Sequence, residues 1–173
     1  NDGDDLCIVS TNERTANPHY WPTPERNYPI EHNSNLLIGI WARTHDAGSV
    51  YADFTQYAWV GPGPIPAKIA KIWQVYQQAL DAGIMLLEKN VKKGLRGFEL
   101  DRAVRGVFAE AGYDETYLLH RSGHSLGIKE HGNGANVDDL ETHDTRLILP
   151  GSGLSLEPGI YTPEFCVRTE LNI

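Results

Sequence analysis

Two strand-like runs, NLLIGIWAR from Asn35 to Arg43 and SVYADFTQYAWV from Ser49 to Val60, flank a turn centred on Asp46 and predict a hairpin. In that register Asp53 faces Gly39, so a carboxylate meets bare backbone. A second hairpin is predicted over Leu154–Ile173, with its turn at Pro163 and Glu164, and it sets Glu157 opposite Glu170. Like charges directly across a ladder destabilise it. Two carboxylates about 5 Å apart at Cβ call for a cation, a shared proton or an arginine to relieve their repulsion.

Between the hairpins the period changes. After GPGPIP at 61–66, with Pro66 suited to a first helical turn, Ile65, Ile69, Ile72, Tyr76, Ala79 and Gly83 recur at four- and three-residue steps. That stripe predicts an amphipathic helix reaching Asn90, its apolar face turned to the core. Leu100, Ala103, Val104, Val107, Phe108 and Ala111 predict a second helix, ended by Gly112. The first 34 residues, carrying Pro18, Pro22, Pro24 and Pro29, read as an extended or looping approach with little regular structure. Residues 120–146 are rich in Gly, His, Asn and Asp, the texture of loops or strand ends that carry a site. The class is α/β (α+β), and no repeat or linker divides residues 1–173, which read as one domain.

Composition narrows the partners. A chain of 173 residues with 40% hydrophobic content can bury one core. No apolar run approaches the ~18 residues of a membrane span. The net charge of −8, without a basic stripe, disfavours nucleic acid and anionic membranes. A small molecule, a peptide or another protein is the expected partner. Cys7 and Cys166 match no zinc or redox spacing and read as ordinary thiols. The chain opens on Asn1 with no signal peptide, and is read as processed, trimmed or a fragment.

Three of the seven histidines, His120, His124 and His131, fall in HRSGHSLGIKEH, with Gly123 and Gly127 around the middle one. Imidazole beside carboxylates suits a borderline divalent ion such as Zn, Mn, Fe or Co. His32, His45 and His143 sit in polar, turn-like sequence and read as ordinary surface or core residues.

The order NPHY (17–20), ADFT (52–55), GHSLG (123–127), EPGIY (157–161) and VRTE (167–170) resembles the pita-bread metallopeptidase family, in which EPGIY followed by V-R-x-E is the most specific piece. The family includes methionine aminopeptidase, aminopeptidase P, prolidase and creatinase. The resemblance implies a pita-bread fold, a pseudo-symmetric pair of αβ halves around a curved antiparallel sheet. It implies that Asp53, His124, Glu157 and Glu170 are metal ligands, with Asp53 and Glu170 at bridging positions. It also gives His19 a substrate contact and His131 a role in stabilising the tetrahedral intermediate, and it casts Glu157 as the proton-exchanging glutamate. His120 and Arg168 resemble residues of the proline-directed branch, which implies a part in substrate binding, with Arg168 standing behind the ligands. That branch points to Xaa-Pro peptides.

This sequence departs from the family pattern at Gly39, where LLIGIWA aligns with segments reading roughly L-I-D-x-W-A. Loss of that aspartate should delete one metal site and spare the other, so one divalent ion (Mn, Co, Zn or Fe) is expected per chain. Only eighteen residues precede His19, so the domain is expected to be truncated at its N-terminal side, and the exposed edges and apolar patches to drive a homodimer. The leading expectation is a cytoplasmic, metal-dependent Xaa-Pro peptidase acting on a peptide or small amide. The alternatives are creatinase-like chemistry that is indifferent to chelators, and a non-catalytic remnant that kept the fold as a binding domain.

Overall fold

The computed structural model describes residues 7–173. Strand β1 (Ile8–Thr11) pairs antiparallel with β2 (Ser34–Ala42), which pairs with β3 (Ala52–Val60). Alternation along β2 and β3 turns Leu37, Gly39, Trp41, Asp53 and Thr55 to the buried face. The opposite face carries Val9, Leu36, Ile38, Ile40 and Phe54, with Ile40 and Phe54 exposed.

The register of this hairpin corrects the expected one. Gly39 pairs with Thr55, and Asp53 pairs with Trp41. Asp53 and Gly39 are therefore diagonal neighbours on one face, not direct partners. A two-residue slip keeps every side chain on its own face, so the apolar–polar alternation cannot tell the two registers apart. The connection over 43–51, which turns at Gly48 with φ +81°, decides it.

The N-terminal reading also needs correction. Residues 1–6 lie outside the described residues, but β1 follows at once, and short 3-10 turns occupy Asn12–Ala16 and Pro24–Arg26. The apolar residues of β1 are too few to signal a strand alone; β2 supplies the template through Ile8–Gly39 and Ser10–Leu37 pairing. The prolines lie beyond it.

Helix α1 (Ala67–Asn90) starts one residue after Pro66 and buries Ile69, Ile72, Tyr76, Ala79, Leu80 and Gly83, the expected stripe plus Leu80. Ile65 precedes the helix and is exposed. Helix α2 (Gly97–Glu110) buries Leu100, Val104 and Phe108, and Gly112 follows with φ +89°. The Glu99 side chain accepts from the Arg96 amide at 2.8 Å and fixes its start. At Gly83 a Cβ would stand 2.8 Å from Val104 Cγ2, so glycine lets the two helices approach.

Four short strands close the chain: β4 (Ser155–Leu156), β5 (Gly159–Tyr161), β6 (Cys166–Arg168) and β7 (Leu171–Asn172). The pairs Leu156–Leu171 and Gly159–Arg168 flank the two glutamates and set Glu157 opposite Glu170, as expected. Single bridges Thr55–Glu170, Ser125–Leu154 and Gly123–Val137 carry the antiparallel pairing from β3 through this hairpin to the histidine segment. The main core lies between this sheet and the helices, where Tyr57, Trp73, Tyr76 and Phe108 follow one another at ring separations of 6.2, 5.6 and 6.4 Å. Among the described residues no helix is long and apolar enough to cross a membrane.

Candidate metal centre and active site

The bridges that extend the sheet bring together residues far apart in sequence. Glu170 donates its amide to the Thr55 carbonyl at 2.9 Å, which sets it beside Asp53 on β3. The Ser155 and Glu157 amides reach the His124 and Ser122 carbonyls, each at 2.8 Å, which sets Glu157 beside His124. At Gly123 a Cβ would lie 2.2 Å from the Ser155 carbonyl oxygen, so only glycine permits this approach.

Asp53, His124 and Glu170 are all buried, and their ligand atoms lie within 4.8 Å of one another. His124 Nε2 stands 3.5 Å from Glu157 Oε1, 3.6 Å from Asp53 Oδ2 and 3.9 Å from Glu170 Oε1. On the far side of the ring, Nδ1 lies 3.1 Å from the Ser125 carbonyl, which can only accept. The neutral imidazole therefore carries its proton on Nδ1 and turns the Nε2 lone pair toward the carboxylates.

The electrostatics are those of a cation site. Burial first, and then the Glu157 and Asp53 charges, push the Glu170 carboxyl far up. Burial alone would lower the His124 imidazole, but Asp53 and Glu157 outweigh it and leave it raised. Glu170 Oε1 is buried with no hydrogen-bond partner. A divalent ion beside Oε1 would satisfy that atom and relieve the carboxylate repulsion together.

All eight residues singled out in the sequence line one cavity of about 560 Å³. Asp53, His124, Glu157 and Glu170 form one part of it. His131 is exposed, yet its ring lies 4.3 Å from that of His124 and nearly perpendicular to it. His19 is exposed on a wall it shares with Pro18 and Trp21, its amide held by Asn17 Oδ1 at 2.9 Å. Gly39 also lines the cavity, beside Thr55 and Ile8.

His120 and Arg168 are less free than a substrate-binding role suggests. His120 Nδ1 donates to the Arg121 carbonyl at 2.7 Å, and Nε2 accepts from the Tyr161 hydroxyl at 2.7 Å. Burial lowers this imidazole to about 4, so it stays neutral. Arg168, 6% exposed, reaches the Tyr161 hydroxyl at 3.4 Å and stands 4.0 Å from Glu157 Oε2. Arg168 thus faces Glu157, and His120 joins it through the Tyr161 hydroxyl.

Sequence reasoning missed the groups that hold the candidate ligands. The Tyr76 hydroxyl donates to the Thr169 carbonyl at 2.7 Å and accepts from the Thr169 amide at 2.9 Å, fixing the residue before Glu170. A tyrosine in a buried helical stripe was the available signal, since its hydroxyl needs a partner. The Asn172 side chain brackets the Asp53 peptide, accepting from its amide at 3.0 Å and donating to its carbonyl. Asp101, fully buried on α2, accepts from Arg105 Nε at 2.8 Å and from the Ser122 amide at 3.2 Å, while Arg105 also donates to the His120 carbonyl. That pair clamps the histidine segment to the helix.

The chain resembles known peptidases in sequence and in fold. The profile described as metallopeptidase family M24 matches residues 3–173. Xaa-Pro dipeptidases from Lactobacillus helveticus and Lactobacillus delbrueckii subsp. lactis are each 32% identical over 166 residues, covering 94% of this chain and 40% of their own length. Among solved structures, a dipeptidase from Pyrococcus horikoshii OT3 is 29% identical with a TM-score of 0.78, over 96% of this chain and 42% of that one. A prolidase from Thermococcus sibiricus is 25% identical with a TM-score of 0.73, over 96% and 41%. The chain thus spans about two fifths of the length of these relatives, and its fold is the expected pita-bread arrangement of mixed α and β elements.

Proposed function

This chain belongs to metallopeptidase family M24, and we propose that it hydrolyses Xaa-Pro peptide bonds with one tightly held divalent ion. The observation that carries the reading is the buried convergence of Asp53, His124 and Glu170, with Glu157 3.5 Å from the His124 nitrogen and Glu170 Oε1 left without a partner. Three carboxylates and one imidazole suit Mn, Co, Zn or Fe. Such an ion, when bound, lowers the pKa of a water toward neutrality and polarises a carbonyl.

The chain's own side chains supply the rest. Glu157 takes the proton of the attacking water on a carboxylate oxygen and passes it to the leaving nitrogen. Arg168, itself hydrogen-bonded to the Tyr161 hydroxyl, faces that carboxylate at 4.0 Å. His131 donates toward the developing oxyanion, and His19 holds the scissile amide. One ion rather than two is proposed because Gly39 brings no carboxylate to the shared face. The similarity to Xaa-Pro dipeptidases supports the proline preference, and the exposed apolar face of β1–β3 supports a homodimer. A cytoplasmic location belongs to the same reading.

The test is hydrolysis of Ala-Pro and Ala-Ala by protein purified without chelator, before and after dialysis against EDTA. The reading expects cleavage of Ala-Pro in preference to Ala-Ala, lost on dialysis and restored by Mn²⁺. Cleavage that ignores EDTA contradicts it in favour of metal-free amide chemistry, and no cleavage at all in favour of a binding domain.

A further inference from the structure

One fixed cation in the cavity has no part in this reading. Of the eighteen described residues that line it, Arg121 and Arg168 are the only arginines or lysines, whereas Asp53, Glu130, Glu141, Glu157 and Glu170 are acidic. Arg168 is buried and turned toward Tyr161 and Glu157. Arg121 is the reachable one, its side chain 21% exposed.

The Arg121 backbone is fixed on both sides. Its amide donates to Glu141 Oε1 at 2.9 Å, and its carbonyl accepts from His120 Nδ1 at 2.7 Å. Its guanidinium is held loosely, with Nη1 3.7 Å from Glu141 Oε2 on a side chain 45% exposed. An exposed ion pair of that kind shifts an equilibrium by less than about fivefold. A ligand carboxylate binding the guanidinium fork with two parallel hydrogen bonds displaces it with a net gain.

A peptide substrate entering this cavity meets five acidic side chains among those that line it. If it is a dipeptide, its C-terminal carboxylate hangs from the carbon next to the scissile nitrogen and must lie within the same cavity. We infer that Arg121 is a specificity-determining residue that reads this free carboxylate, so that the site prefers dipeptides to amidated or longer peptides. Glu141 is the counter-ion that holds the guanidinium until the substrate replaces it. The inference rests on the Xaa-Pro reading for its substrate but not on turnover.

The experiment measures calorimetric binding of uncleavable Ala-Pro, its scissile carbonyl reduced to CH₂, as the free acid and as the C-terminal amide, to Mn²⁺-supplied protein. The acid should bind about tenfold or more tighter than the amide. Arg121→Gln should bring that ratio close to one, Arg121→Lys should retain part of it, and Glu141→Gln should raise it. Equal binding of the two forms by the unsubstituted protein, no measurable binding of the acid, or an undiminished ratio in Arg121→Gln overturns the inference. Hydrolysis of Ala-Pro is followed in parallel. Absent hydrolysis with the Arg121-dependent ratio present overturns the proposed reaction and leaves the assignment of Arg121 standing.

Discussion

The Thr55 hydroxyl donates to Glu170 Oε2 at 3.0 Å, and the other oxygen of the same carboxylate is left buried and unpartnered, 3.9 Å from His124 Nε2. One oxygen is thus anchored by the protein while its twin is presented to the centre. Thr55→Val keeps the shape and removes the donor. Loss of such an outer contact lowers metal affinity by about 10- to 100-fold, which isothermal titration with Mn²⁺ would show. Unchanged affinity in the folded variant would mean that Thr55 does not orient Glu170.

Gly39 lies diagonally from Asp53 on the cavity face, at a Cβ separation of about 7 Å that two carboxylate side chains can span. A Cβ there would stand 3.3 Å from Thr55 Oγ1 and 3.4 Å from Ile8 Cβ, tight but without backbone collision. Gly39→Asp should therefore fold, bind a second equivalent of metal by elemental analysis, and cleave Ala-Pro faster. Adding Glu170→Gln should abolish the binding of both ions. A folded Gly39→Asp protein that still holds one ion would show that position 39 is not a vacated ligand site.

Acid stability has a separate source. Hydrogen bonds from Arg146, joined by the Asn136 amide, hold the buried Asp144 carboxyl down to about 2 from its usual 3.8. A depressed carboxyl stabilises the folded state above its unfolded pKa and loses that contribution as pH falls through the folded one. The loss therefore runs from about pH 4 to pH 2 and amounts to about 2 kcal/mol. Asp144→Asn should be less stable in urea at pH 6, and the gap to the unsubstituted protein should narrow as the pH approaches 2. A gap that stays constant with pH would assign the loss to packing.

Much of the fold was legible in the sequence, because its signals are local. The helical stripe of α1 and the Glu157–Glu170 register each follow from periodicity over a short span, with a tight turn fixing the second. The β2–β3 register was not legible, since alternation is blind to a two-residue slip across a long connection. The candidate ligands could be named from residue type and motif order, and the fold brings them together. Their supports could not: Tyr76 to Thr169, Asn172 to Asp53 and Asp101 to Ser122 join distant segments, and each residue has an ordinary local role.

The outward face of β1–β3, with Ile40 48% and Phe54 45% exposed, presents an apolar surface opposite the face that carries Asp53 and Thr55. Covering it by a second copy would form a dimer with an interface beyond about 1,000 Å². Sedimentation equilibrium at micromolar concentration should give twice the chain mass, and Ile40→Lys with Phe54→Lys should return a monomer. A monomer without these substitutions contradicts the expectation.

One ion per chain is expected to suffice for hydrolysis. Metal-free protein at a concentration far above the dissociation constant is titrated with Mn²⁺ while Ala-Pro cleavage is recorded. The account predicts a rate that rises linearly and breaks to a plateau at one equivalent per chain. A rate that stays near zero until a second equivalent is added, or that does not respond to metal, would contradict it.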